Sequence, residues 1–120
     1  MMKKKILVID DDPLNVRLIQ ITLQKKGYDV DFAHDGVSGL EKMMSFSPDL
    51  IILDIEMPHM NGYTFMLEVK KIEGALDIPV IVLTAHAQMQ AIFELKGIKD
   101  YIVKPIDPED LIEKIDAHIM

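Results

Sequence analysis

The sequence predicts an α/β protein in which five parallel strands form one doubly wound sheet with helices on both faces. Short apolar runs alternate along the chain with longer segments of helical period, a pattern typical of repeated βα units. The runs are apolar on both sides, as strands buried between two helical layers are. This (βα)5 pattern predicts strands at residues 5–9, 30–33, 50–53, 80–84 and 101–103, and helices at 13–26, 36–46, 62–72, 86–96 and 108–119.

The residues between these segments support the boundaries. Asp12-Pro13 has the pattern of an N-cap followed by proline at the first helical position, and Asp107-Pro108 repeats it before the last helix. Residues 28–32 alternate polar and apolar side chains. We therefore expect the second strand to lie at an edge of the sheet, with one wetter face.

Length, charge and composition narrow the classes of function. A chain of 120 residues fits a single domain with a sizeable core, and we expect one domain over residues 1–120 with no output domain. The chain has 20 acidic and 13 basic residues, a net charge of −7, which argues against direct DNA binding. Cysteine is absent, which excludes disulfides and thiolate chemistry. No apolar run suits a signal peptide or a membrane span, so we expect a cytoplasmic protein.

Charged and hydroxyl side chains follow the predicted strands, at the edge where parallel sheets bind ligands. The residues at these strand ends are Asp10, Asp11, Asp54, Thr84 and Lys104. Three carboxylates at one edge repel each other unless a hard cation binds them or some become protonated. Oxygen ligands without histidine or cysteine favour Mg²⁺ or Mn²⁺, which commonly also bind a phosphate oxygen. A lysine and a threonine at the same edge would stabilise the remaining phosphoryl oxygens.

The segments that contain these residues resemble the response-regulator receiver domain of two-component signalling. They read LVIDDD, LDIEMPHMNG, VIVLTA and YIVKPID, in the family's order across the whole chain. The resemblance implies a flavodoxin-like, or CheY-like, fold with strand order 2-1-3-4-5. It also implies a phosphorelay function, in which a sensor histidine kinase or a histidine phosphotransfer protein donates the phosphoryl group and a downstream protein target responds.

The resemblance also implies the roles of the acidic residues. Asp54 would be the phosphoacceptor and Asp11 a direct Mg²⁺ ligand, while Asp10 would hold the ion through water. The backbone carbonyl of Glu56 would be the third protein ligand. The domain would thus be a signalling phosphoacceptor and not an enzyme with a separate substrate, although it would catalyse its own phosphotransfer and autodephosphorylation.

The same resemblance implies a conformational switch beside the acceptor. Lys104 would pair with the phosphoryl group, and the Lys104-Pro105 peptide would be cis. Thr84 would move toward the phosphoryl group on activation, and Tyr101 would change rotamer with it. The side chain of Glu56 is either a solvated loop acid or a residue that tunes hydrolysis.

The first predicted helix is apolar on two sides. At 100° per residue its apolar side chains fall into two nearly opposite groups: Val16, Ile19 and Leu23 on one side, and Leu14, Leu18 and Ile21 on the other. The first group should face the sheet. The second either packs against the last helix or stays exposed to dock a partner. The resemblance favours docking of the histidine-bearing helical bundle.

Two rival functions share parts of this pattern. A phosphatase of the haloacid-dehalogenase type also uses Mg²⁺ and an aspartyl phosphate, and Asp10 would then be its nucleophile. Pro13 and Leu14 replace the small or hydroxyl residues expected after that nucleophile, and the chain is too short for a cap domain. A flavin carrier is excluded because three aspartates after the first strand would repel the flavin phosphate.

Overall fold

The five strands are parallel and form one sheet in the order β2-β1-β3-β4-β5. The structure is a computed structural model that describes residues 3–57, 62–72, 74–85 and 97–119. The strands are β1 (Lys5–Ile9), β2 (Asp29–Ala33), β3 (Leu50–Asp54), β4 (Val80–Thr84) and β5 (Ile98–Val103). The predicted strand order is confirmed, and β2 lies at an edge as its alternating pattern indicated.

Four α-helices cover the sheet within the described residues. They are α1 (Pro13–Lys25), α2 (Gly36–Phe46), α3 (Gly62–Val69) and α4 (Pro108–His118), and a short 3₁₀ turn spans Ala75–Asp77. The helix predicted at 86–96 lies outside the described residues. Among the helices that are described, none has both the length and the apolar character needed to cross a bilayer.

Two predicted boundaries were wrong by three residues, whereas the other described boundaries agree to within one residue. The helix predicted to reach residue 72 ends at Val69, because the N–H groups of Lys71 and Ile72 donate to carbonyls three residues back and so tighten the chain into a turn. Strand β5 begins at Ile98, where it pairs with Val80, three residues earlier than predicted. Polar residues at 99 and 100 interrupt the apolar run there and conceal the start of the strand.

Alternate residues of the strands pack on opposite faces of the sheet. On one face, Leu7 and Ile9 belong to a cluster that includes Phe65 of α3. On the other face, Ile6 and Val8 belong to a cluster built on α1 and α4. Since the sheet is buried on both sides, its strands are fixed in position, and the side chains at their carboxyl ends are held relative to one another.

Aspartate N-caps set the starts of the helices that flank the site. The Asp12 carboxylate accepts from the N–H of Leu14 at 2.9 Å, and the Asp107 carboxylate accepts from the N–H of Glu109 at 3.1 Å. Both caps confirm the Asp-Pro prediction, because each satisfies a helical N–H that lacks an intrahelical partner. The cap at Asp12 begins α1 immediately after the acidic end of β1.

Candidate functional site

The structure brings three carboxylates together at the carboxyl edge of the sheet. Asp10 follows β1 and Asp54 ends β3, and these strands are neighbours in the sheet. One carboxylate oxygen from each of Asp10, Asp11 and Asp54 lies within 4.8 Å of the other two. Asp10 and Asp54 are buried, whereas Asp11 is exposed, so the cluster opens to solvent on the Asp11 side.

The surroundings of the Asp10 carboxyl disfavour its ionised form. Its Oδ1 accepts from the backbone N–H of Asp12 at 2.9 Å, and its Oδ2 accepts from Nδ2 of Asn15 at 3.4 Å. Burial is the largest cause that raises the pKa of Asp10 from 3.8 to about 7, and the neighbouring Asp54 carboxyl adds to the rise. The hydrogen bond from the Asp12 N–H and the positive charge of Lys104 both lower this pKa, but by less. A cation bound beside Asp10 would stabilise the ionised carboxylate.

Asp54 is an almost fully buried carboxylate that pairs with a cationic side chain. Its Oδ2 accepts from Nζ of Lys104 at 3.0 Å, and only 1% of its side chain is exposed. Its Oδ1 accepts from the backbone N–H of Glu56 at 2.9 Å. Burial lowers the pKa of Lys104, but the bond to Asp54 and the charges of Asp54, Asp10 and Glu56 outweigh burial, so that this pKa lies above 10.5.

Lys104 is fixed next to the site through its own backbone. Its N–H donates to the carbonyl of Thr84 at 2.8 Å, which joins the ends of β4 and β5. The Lys104-Pro105 peptide is cis, as the family resemblance implied. The ammonium of Lys104 therefore approaches Asp54 from a strand end that is tied to Thr84.

Thr84 lies one strand away from Asp54, and the side chain of Glu56 reaches Thr84. The Thr84 hydroxyl is 3.5 Å from Oε1 of Glu56, and the backbone N–H of Ala85 donates to the same oxygen at 3.3 Å. The side chain of Glu56 thus spans from the end of β3 to the end of β4. The side chain of Glu56 is exposed but contacts the end of β4, and its role in hydrolysis stays a prediction.

Tyr101, the second predicted switch residue, is half-buried in β5 and packs against the core. Nζ of Lys114, on α4, donates to the backbone carbonyl of Tyr101 at 2.6 Å. The same ammonium lies 4.9 Å from the centroid of the Tyr101 ring, within the range of a cation–π interaction. The structure shows one rotamer, so the rotamer change stays a prediction.

Gly62 allows the segment after Asp54 to pack closely against α3. A Cβ at Gly62 would lie 2.6 Å from the Cα of Ile55, closer than non-bonded carbon atoms approach. The N–H of Gly62 also donates to the carbonyl of Ile55 at 3.1 Å. Glycine at the start of α3 therefore helps to position the residues that follow the candidate acceptor.

Helix α1 has an exposed apolar face beside this edge of the sheet. The group predicted to face the sheet is buried, namely Val16, Ile19 and Leu23. The opposite group is exposed, with 79% of Leu14, 36% of Leu18 and 40% of Ile21 accessible. The second side is therefore only partly covered within the described part of the chain, and Leu14 is its most open residue. Its docking role stays a prediction.

Sequence reasoning missed one residue at the site and identified another only in part. Asn15 was not singled out, although it lies three residues after the Asp12 cap, in the first turn of a helix that begins at the site. For Glu56 the sequence implied a backbone carbonyl ligand, which stays a prediction, and gave no signal for the contacts of its side chain.

Comparisons with known proteins agree with this geometry. Residues 6–116 match the family described as the response regulator receiver domain. RpaA of Synechocystis, a DNA-binding dual master transcriptional regulator, is 39% identical over 115 residues, which cover 94% of this chain and 48% of RpaA. The chain spans about half the length of curated relatives such as RpaA.

Two solved structures show the same fold. Chemotaxis protein CheY4 of Vibrio cholerae gives a TM-score of 0.92 at 29% identity, and the match covers 98% of this chain and 100% of CheY4. The receiver domain of sensor histidine kinase PA1611 of Pseudomonas aeruginosa gives a TM-score of 0.86 at 27% identity, with 98% of each chain covered. That receiver domain was solved with a magnesium ion coordinated in its active-site cleft.

Proposed function

The chain belongs to the family of response regulator receiver domains of two-component signalling, and we propose that Asp54 is its phosphoacceptor. The observation that supports this assignment most directly is the buried pairing of Asp54 with Lys104 at 3.0 Å, at the edge of the acidic cluster. The family match gives no support to a haloacid-dehalogenase-type phosphatase, which would use Asp10 instead.

The proposed reaction moves a phosphoryl group from nitrogen to oxygen. A carboxylate oxygen of Asp54 attacks the phosphorus of a phosphohistidine, the new O–P bond forms, and the P–N bond breaks with its electron pair going to the imidazole nitrogen. Catalysis of such a transfer is mainly positioning and charge stabilisation. The Lys104 ammonium and the Thr84 hydroxyl supply a charge and a donor for the transferred oxygens. Attack of water on the phosphorus later returns the Asp54 carboxylate and inorganic phosphate.

The acidic cluster suits Mg²⁺ or Mn²⁺. Asp10, Asp11 and Asp54 place carboxylate oxygens close together, and hard divalent cations prefer oxygen ligands. The backbone carbonyl of Glu56 completes the protein ligand set that we propose. When bound, the cation would neutralise the clustered carboxylates and the charge on the phosphoryl oxygens.

The exposed side of α1 is the surface that we propose for the phosphodonor. Leu14, Leu18 and Ile21 form an apolar patch next to the carboxyl end of β1, and a helical partner can bury such a patch. That partner would be a sensor histidine kinase or a histidine phosphotransfer protein. Movement of Thr84 and Tyr101 would then change what a downstream protein contacts.

We propose that this output is a protein–protein interaction. RpaA is described as binding DNA, but the net charge of −7 on this chain is unfavourable for direct contact with a phosphate backbone. We place the reaction in the cytoplasm, and we propose no contact with a membrane.

Incubation with Mg²⁺ and a small phosphodonor, acetyl phosphate, tests the acceptor assignment. The intact mass of the wild type should rise by one phosphoryl group, and that of Asp54→Asn should not change. Asp77→Asn is a matched control, because Asp77 is exposed on the 3₁₀ turn that precedes β4. Full labelling of Asp54→Asn, or equal loss in both variants, would contradict the assignment.

A further inference from the structure

We infer that the carboxylate of Glu56 is a displaceable latch, which engages Thr84 and Ala85 in the unphosphorylated protein and competes with a phosphoryl group for them. The latch would favour the unphosphorylated state, so that Glu56 sets how readily the domain switches. This inference rests on the proposed role of Asp54 as acceptor.

Two donors from adjacent residues converge on one oxygen of Glu56. The hydroxyl of Thr84 and the N–H of Ala85 lie 3.5 Å and 3.3 Å from Oε1. Both distances exceed the usual hydrogen-bond lengths of about 2.7–3.0 Å, so each contact is weak. A weak contact to an exposed side chain is easily exchanged for another acceptor.

A phosphoryl group on Asp54 would need the donors that Glu56 engages. The N–H of Glu56 donates to Oδ1 of Asp54 at 2.9 Å, so the Glu56 side chain begins next to the acceptor carboxylate. Asp54 is in register with Leu83, so Thr84 lies one residue farther along the neighbouring strand, at the carboxyl edge of the sheet. The single hydroxyl hydrogen of Thr84 cannot be donated to Glu56 and to a phosphoryl oxygen at the same time.

Charge also favours release of Glu56 when a phosphoryl group arrives. The Glu56 carboxylate adds negative charge to a site that already holds Asp10 and Asp54, and its field contributes to the raised pKa of Lys104. Phosphoryl oxygens bring more negative charge to the same place and repel the carboxylate. Because Glu56 is exposed, its side chain can turn into solvent when it leaves Thr84.

Two variants separate the contact of Glu56 from its charge. Glu56→Ala removes both, whereas Glu56→Asp keeps the charge on a side chain one methylene shorter, which no longer reaches Thr84 and Ala85. Glu41→Gln is the matched control, because it removes one exposed negative charge on α2 away from these donors.

The first measurement is the amide NMR signal of Ala85 in the metal-free protein. Loss of the carboxylate acceptor should shift this signal in Glu56→Ala and in Glu56→Asp but not in Glu41→Gln. The second measurement is the Kd for beryllium fluoride, a phosphoryl analogue, at saturating Mg²⁺. Both Glu56 variants should bind it about three- to tenfold more tightly than the wild type, the range expected for one modest hydrogen bond.

The possible outcomes are distinct. An unchanged Ala85 signal in either Glu56 variant, or beryllium fluoride binding no tighter than wild type, would overturn the latch. If Glu56→Ala gained affinity and Glu56→Asp did not, charge alone would explain the gain, and the latch would again be wrong. If Asp54 were not the acceptor, wild type and Asp54→Asn would respond equally to beryllium fluoride, while the Ala85 signal would still shift in the Glu56 variants. Failure of the proposed function is therefore distinguishable from failure of the latch.

Discussion

Replacing Asp10 by asparagine should stabilise the metal-free protein, and by more at pH 8 than at pH 5. Burial and the neighbouring Asp54 hold the pKa of Asp10 near 7 in the folded chain, against 3.8 for the ordinary group. Between these two values the unfolded chain releases the proton and the folded chain keeps it. The stability of the wild type therefore falls as the pH rises from about 4 to about 7. Asparagine has no proton to lose, so the variant escapes this decline.

The pKa difference sets the size of the effect. Linkage gives the variant an advantage in the free energy of unfolding of about 2 kcal/mol at pH 5 and about 4 kcal/mol at pH 8. Asp10 has no exposed surface, but the cluster opens to solvent beside Asp11, so solvent screening makes these two figures upper values. Mg²⁺ should narrow this advantage, because it stabilises the wild type more than the variant that has lost one acidic side chain of the cluster.

Urea unfolding at the two pH values, with and without Mg²⁺, measures these differences. Asp11→Asn is the matched control, since Asp11 belongs to the same cluster but is exposed. That variant should change metal-free stability little and should still weaken stabilisation by Mg²⁺. An advantage of Asp10→Asn that does not grow with pH, or a variant less stable than wild type at pH 8, would refute the reasoning.

Three other substitutions test the remaining parts of the site. Leu18→Asp should slow phosphotransfer from a cognate histidine protein and leave labelling by acetyl phosphate intact. Leu67→Asp, at another exposed leucine, should affect neither assay. Equal loss of labelling by Leu18→Asp in both assays would indicate that Leu18 supports the core and not a docking surface. Lys104→Met should reduce labelling but tighten Mg²⁺ binding a few-fold by calorimetry, because it removes a competing cation; weaker Mg²⁺ binding would contradict this. Gly62→Ala should lower the free energy of unfolding by about 1–3 kcal/mol through its clash with Ile55, and unchanged urea unfolding would show that the segment adjusts.

The strands and the convergence of charged residues were accessible from sequence because both follow from local patterns. Apolar runs between helical segments identified all five strands. Asp10, Asp54 and Thr84 follow or end three different strands, and parallel strands bring their carboxyl ends to one edge. No tertiary detail was needed to place them together.

Contacts that depend on register and side-chain reach could not be predicted in this way. The link from Glu56 to Thr84 exists because β3 and β4 pair with Asp54 beside Leu83, and no periodicity encodes that register. The bond from Asn15 to Asp10 depends on where the Asp12 cap starts α1. The end of α3 at Val69 likewise reflects local turn bonds that the apolar pattern does not reveal.

Mapping the phosphorylated residue in the wild type tests the central claim most directly. Borohydride reduction of the acetyl phosphate-treated protein converts an aspartyl phosphate into homoserine, and trypsin then separates residues 6–17, which contain Asp10, from residues 43–70, which contain Asp54. We predict that homoserine replaces Asp54 in the second peptide and that its formation requires Mg²⁺. Homoserine at Asp10 in the first peptide would contradict the assignment and would favour the phosphatase mechanism instead.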